Sequence, residues 1–247
     1  MKINVKHPLF ILAAGLVLVG AGAFGTTRAV EEYSSGTQGV QFETAKFSVD
    51  LIEEQSSGEI TVAGSHTKPA TLVLSAFDKV KAGTEEIKVD YPYPEKVWVQ
   101  NNSGGDFPEY VRVVVDKSWV DENGDTDTSA DPALIGLNAA SGWSKIDSGK
   151  EQTIFYYTKP IEKSEKIQLL ESIQLDKKVI DGYSKTEIID GNKYVTIEGY
   201  ESKTFSIQMR VDAVQAHHAE DAMLGAWGVV AEFNEDGTIK SIDGTDL

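Results

Sequence analysis

The chain has no cysteine in its 247 residues. That absence removes a disulfide framework, thiol catalysis and every cysteine-based zinc site together, so a packed core has to supply the stability. Histidine is scarce, four in all, and none stands in an HExxH arrangement, the helix on which zinc proteases hold their metal. Gly-x-Ser-x-Gly elbows, Walker loops and dinucleotide fingerprints are missing as well. Basic residues are outnumbered 39 to 23 by acidic ones, a net charge of −16, which repels nucleic acid and anionic membranes and suits solubility or divalent cations. A carboxylate pair for glycoside hydrolysis has no positive signal. Trp98, Trp119, Trp143 and Trp227 read as core side chains before they read as a sugar cleft. The chain reads as a non-enzyme.

Long apolar runs are absent too, with one exception at the start. Lys2 and Lys6 precede an uncharged stretch from Pro8 to Phe24, and Gly25-Thr26-Thr27-Arg28-Ala29 follows it. A basic start, an apolar centre and a small-residue exit make a secretory signal peptide over residues 1–29. Thr27 and Ala29 are the small residues at the cut, and Val30 is the new N-terminus. The alternative is an uncleaved anchor, but the stretch is shorter than the roughly 20 residues a span needs and is diluted by Gly and Ala. Cleavage places the protein outside the cytoplasm. All the acidic residues lie beyond the leader, whereas Lys2, Lys6 and Arg28 lie within it, so the exported chain is more acidic still. Residues 232–247 carry no apolar tail, basic stop or LPxTG-like motif. The expectation is a chain with no stable membrane span after cleavage, held at a surface only through other proteins or through itself.

Beyond the leader the sequence alternates like strands. Ala45–Leu51 and Lys96–Gln100 repeat at period two, and Tyr110–Val115 returns as a β-branched run after the turn chemistry of Asn101–Asp106. Further strands are expected at Thr153–Thr158, Lys166–Leu170, Glu187–Ile189, Tyr194–Glu198 and Thr204–Ala213. The last is the clearest, with Phe205, Ile207, Met209, Val211 and Ala213 against Ser206, Gln208, Arg210 and Asp212. One wet and one buried face mark an antiparallel sandwich. A single helix is expected near His218–Trp227, and two acidic segments, Glu53–Thr67 and Asp121–Pro132, read as surface loops or hairpins. The organisation is a leader over 1–29, a free segment over 30–42 and one all-β sandwich over 43–247.

Two clusters invite a metal. Asp121, Asn123, Asp125 and Asp127 stand at alternate positions, a spacing that lets a curled loop turn several oxygens toward calcium, although Thr126 and Pro132 break the EF-hand pattern. A solvated acidic turn is the plainer reading, and calcium is the one cofactor the sequence suggests. His217, His218, Glu220 and Asp221 form the only histidine cluster, but adjacent histidines diverge on a helix and no third ligand is near in sequence.

Several segments, in order, resemble the TasA/camelysin family of exported Gram-positive proteins. They are the Gly-rich exit Gly20–Ala29, Val97-Trp98-Val99-Gln100-Asn101-Asn102-Ser103-Gly104, Tyr110-Val111-Arg112-Val113-Val114-Val115 with Trp119, Ile154-Phe155-Tyr156-Tyr157 with Pro160–Leu170, and Val211-Asp212-Ala213-Val214-Gln215-Ala216 with a short helix ending at Trp227. The resemblance implies a jelly-roll-like sandwich, processing by a dedicated SipW-type signal peptidase, and extracellular biofilm-matrix fibres in which the N-terminal segment of one subunit completes the sheet of the next. Camelysin-type members are classed as metallopeptidases, but the zinc motif expected of that activity is missing here. Val30–Phe42 would be the donor, with Val30, Tyr33, Val40 and Phe42 as its anchors. Backbone pairing with alternate side chains in pockets suits such a segment, and a head-to-tail contact that does not close propagates a filament. The partner is then a second copy of the chain, together with matrix or cell-wall components. The competing expectations are a monomeric surface adhesin or ligand-binding module using the acidic loops, and a secreted metallopeptidase using His217, His218 and Glu220.

Overall fold

The computed structural model describes residues 48–64, 68–82, 84–189, 192–200 and 203–247, all within the unit Ala45–Leu247. The cleavage residues Thr27, Ala29 and Val30 and the anchors Tyr33, Val40 and Phe42 lie outside the described residues.

The elements run β1 (Val49–Gln55), β2 (Gly58–Gly64), β3 (Ala70–Thr71), α1 (Asp78–Lys81), β4 (Pro92–Asn101), β5 (Glu109–Val120), β6 (Ile135–Ala139), β7 (Trp143–Ser148), β8 (Gln152–Tyr157), β9 (Lys166–Leu175), β10 (Tyr183–Ile189), β11 (Asn192–Glu198), β12 (Thr204–Gln215), α2 (Ala219–Trp227), β13 (Ala231–Phe233), β14 (Ile239–Ile242) and β15 (Thr245–Asp246). Two five-stranded antiparallel sheets face each other, one ordered β2-β1-β4-β9-β6 and the other β3-β12-β5-β8-β7. From β3 to β7 each strand changes sheet, as does the step from β8 to β9, the crossing pattern of a jelly roll. β10 and β11 pair as a hairpin, and β13, β14 and β15 form a small third sheet.

The period-two alternation of β12 explains the sandwich. Ile207, Met209, Val211 and Ala213 are buried against Leu51, Val97, Val99, Leu169 and Ile173 from the other sheet. β5 departs from alternation because both its faces are covered. Val111, Val113, Val115 and Trp119 point between the sheets, while Tyr110 sits in a second core with Tyr156, Val214, Met223 and Trp227. That second core lies under α2 and β13–β15, a third layer on the outer face. Arg112 fastens it: its guanidinium lies 4.9 Å over the Trp227 ring, and its Nε donates to Asp212 at 3.1 Å.

The expected helix is there, and α1 adds a second of one turn. The acidic stretch from Glu53 is a hairpin, with β1 running on to Gln55 and β2 returning from Gly58. No helix among the described residues is long and apolar enough to cross a membrane.

Candidate functional site

Two features sit at opposite ends of the sandwich. The first is where the chain enters it. Ser48 N–H donates to the Ser103 hydroxyl at 2.8 Å, and Ser48 C=O accepts from Asn102 N–H at 2.7 Å. Behind this clasp, the buried Ser103 donates to the carboxyl of Glu109, and Ser103 N–H is received by Asn101 Oδ1 at 3.0 Å. Glu109 is fully buried, and burial holds its carboxyl above the usual carboxylate range against the pull of the Ser103 hydrogen bond. This end of the molecule is where β4 finishes and β5 begins.

The second feature lies where β4 begins, β9 ends and β12 starts, about 30 Å away along the ten residues of β4. It is an apolar groove of about 570 Å³ between the α1 segment and the chain around Val179–Phe205. Phe77, Tyr200 and Phe205 line it, backed by core aromatics: Phe77 lies 4.2 Å from Tyr93 and 4.9 Å, edge-on, from Phe205, and Tyr200 lies 4.5 Å from Trp119. Its rim exposes Ile87 and Ile180, the latter at 70 %.

Glu53, with Glu95 beside it, holds the wall of the groove. Glu53 Oε1 accepts the N–H groups of Val73 at 2.8 Å and Leu74 at 3.2 Å, which fixes Leu74 in the left-handed region at φ 59°. Both glutamates are buried, at 0 % and 3 % exposure. Burial first, and the facing Glu53 second, push Glu95 up to about 8, so it carries a proton at neutral pH. Leu74, Phe77 and Val80 then line the groove.

The groove ends on an unfinished sheet edge. β3 pairs with β12 only at Gln208 and Met209, followed by Leu72 N–H to Ile207 C=O at 2.9 Å. Beyond that, no strand among the described residues pairs with the outer edge of β12, and alternation turns the Phe205 backbone toward the groove.

The acidic turn is organised from within. Asp121 Oδ1 accepts the N–H of Asn123 at 2.9 Å and of Asp125 at 3.0 Å, and these bonds hold its carboxyl below the usual range. Asp127 turns the other way, to Ser129 N–H and to Lys203 at 2.9 Å. Among the described residues no three His, Asp or Glu side chains are grouped to hold a metal ion. His217 and His218 touch edge to face at 4.1 Å, with His218 in the left-handed region ahead of α2. Trp119 and Trp143 are core residues whose Nε1 atoms donate to Asp131 C=O and Gln168 C=O, each at 2.8 Å.

No family model, curated protein or solved structure matches the chain. Function therefore rests on the geometry of the two ends.

Proposed function

We propose that this chain is an exported structural subunit of extracellular fibres, of the kind its sequence resembles, assembled by donation of the Val30–Phe42 segment to the next copy. The observation that carries the reading is polarity. The first described residue, Ser48, is clasped at one end of the sandwich, so a donor preceding it would lead into that end, while the apolar groove and the edge of β12 left unpaired among the described residues lie at the other. A donor at one pole and an acceptor at the other give a heterologous contact that repeats without closing. An extended segment in the groove would extend the β12 edge at Phe205 and set alternate anchors against its aromatic lining. Cleavage after Ala29 would release the donor and so act as the assembly switch.

The test compares the chain beginning at Val30 with one lacking Val30–Phe42, by negative-stain microscopy and light scattering. Filaments from the first and none from the second are expected. Ile180→Glu at the exposed rim should leave folding within about 0.5 kcal/mol of the parent and prevent filaments. Filaments that persist in the truncated chain, or monomers from both, would overturn strand donation. In the second case the groove becomes a small-ligand pocket, for which its volume is ordinary.

A further inference from the structure

A buried charge without a counter-ion lies outside everything described so far. Lys117 occupies an inward position of β5, between Val115 and Trp119, and is 8 % exposed. Its Nζ donates to Ile135 C=O at 3.0 Å. Among the described residues no carboxylate lies within ion-pair distance of it. An ammonium has three N–H donors, and a charge this deep is normally paired.

The space beside it is polar. A cleft of about 120 Å³ opens between the edge strands β6 and β7, with Lys117 at its base and Lys145, Asp147 and Lys150 around it. The two outer lysines have partners of their own: Lys150 is 2.9 Å from Asp131, and Lys145 is 3.9 Å from Asp147, which also accepts from the Thr153 hydroxyl at 2.7 Å. The inner lysine has no carboxylate partner among the described residues. Ile135 C=O faces Lys117, and alternation along the β6 edge brings the Leu137 N–H to the same side, a further donor. Burial pushes the Lys117 pKa below the usual lysine range; Asp147 and Asp131 push it back and Lys145 adds to the fall. Three lysines thus converge on one small cleft in a chain where acidic residues outnumber basic ones 39 to 23.

We propose that the β6–β7 cleft binds one small oxyanion, a single phosphate or carboxylate group, with Lys117 as its buried counter-charge and Lys145 and Lys150 at the mouth. A bound oxyanion would accept the N–H groups that Lys117 leaves over and neutralise it where water is excluded. The volume holds one such group and a water or two, each water taking about 30 Å³, and excludes a nucleotide. The site is independent of fibre assembly.

The experiment titrates inorganic phosphate into the intact chain and into the chain beginning at Val30, at constant ionic strength set with chloride. Thermal unfolding and the Lys117 side-chain NMR resonances are the readouts. The expected result is a saturable rise in Tm and an upward move of the Lys117 titration by a pH unit or more. In Lys117→Met the Tm rise should vanish, with folding confirmed by its phosphate-free Tm. Lys145→Ala and Lys150→Ala, at exposed positions, should each weaken the phosphate affinity several-fold. A parallel arm with acetate assigns the source: saturation by phosphate alone marks a phosphate receptor, and comparable saturation by acetate a carboxylate receptor. No saturation in either arm, or a response that survives Lys117→Met, would overturn the site.

Discussion

Glu53 on β1 and Glu95 on β4 are neighbouring carboxyls, both buried inside the sandwich. Burial first, and the neighbouring Glu53 second, keep the Glu95 carboxyl protonated past neutrality. Glu53 in turn fixes Val73 and Leu74 and thereby the groove wall.

Stability should therefore fall as pH rises. Glu95 is raised from 4.5 to about 8, so the unfolded chain releases the proton first. The contribution is complete below about pH 4.5, declines at up to about 1.4 kcal/mol per pH unit and is gone above about pH 8. Glu95→Gln keeps a donor for Glu53 without the titration. Thermal unfolding from pH 5 to 9 should show a decline in the parent and a flatter profile in the variant. Parallel profiles would assign the slope to other groups.

Asp127 and Lys203 join the acidic turn to the start of β12 with side chains only 12 % and 9 % exposed. Asp127→Ala takes the nearest carboxylate from an almost buried Lys203, with Asp121 still in its field, and should cost up to about 3 kcal/mol in urea unfolding. Replacing both partners with apolar residues of similar volume should recover most of that loss.

His218 starts α2 at φ 55° without a side-chain cap, a conformation that strains any residue with a Cβ. His218→Gly should raise stability by about 1 kcal/mol, read as a higher urea midpoint. A structural or metal-binding demand on the imidazole would reverse the sign.

The sandwich was legible wherever one face of a strand is wet, as in β12. β6 and β7 were not, because edge strands such as Ile135-Gly136-Leu137-Asn138-Ala139 and Trp143–Ser148 mix small, polar and charged residues and lose the alternation. The small sheet β13–β15 was missed for a related reason: its strands are two to four residues long, too short for periodicity to register. The groove is assembled from segments far apart in sequence, so no local pattern announces it. The buried charges could have been found. Val49, Leu51 and Glu53 share a parity, as do Tyr93, Glu95, Val97 and Val99, and Val113, Val115, Lys117 and Trp119. Each charged residue continues an apolar row, and an inward charge in such a row signals a partner or a ligand. Read residue by residue, they pass for solvent-facing side chains.

The β5–β12 ladder pairs twelve residues without a register shift, from Thr204↔Val120 to Gln215↔Glu109, and its side chains enter both cores. Two long antiparallel strands dragged apart along their own axis load every rung together, whereas peeling would break them one at a time. The third layer, seated across the same ladder, cannot come away without disturbing it. Tension applied lengthwise and oppositely to the two strands would meet all the rungs together, whereas tension on the adjoining ends at Glu109 and Gln215 would unzip them in turn.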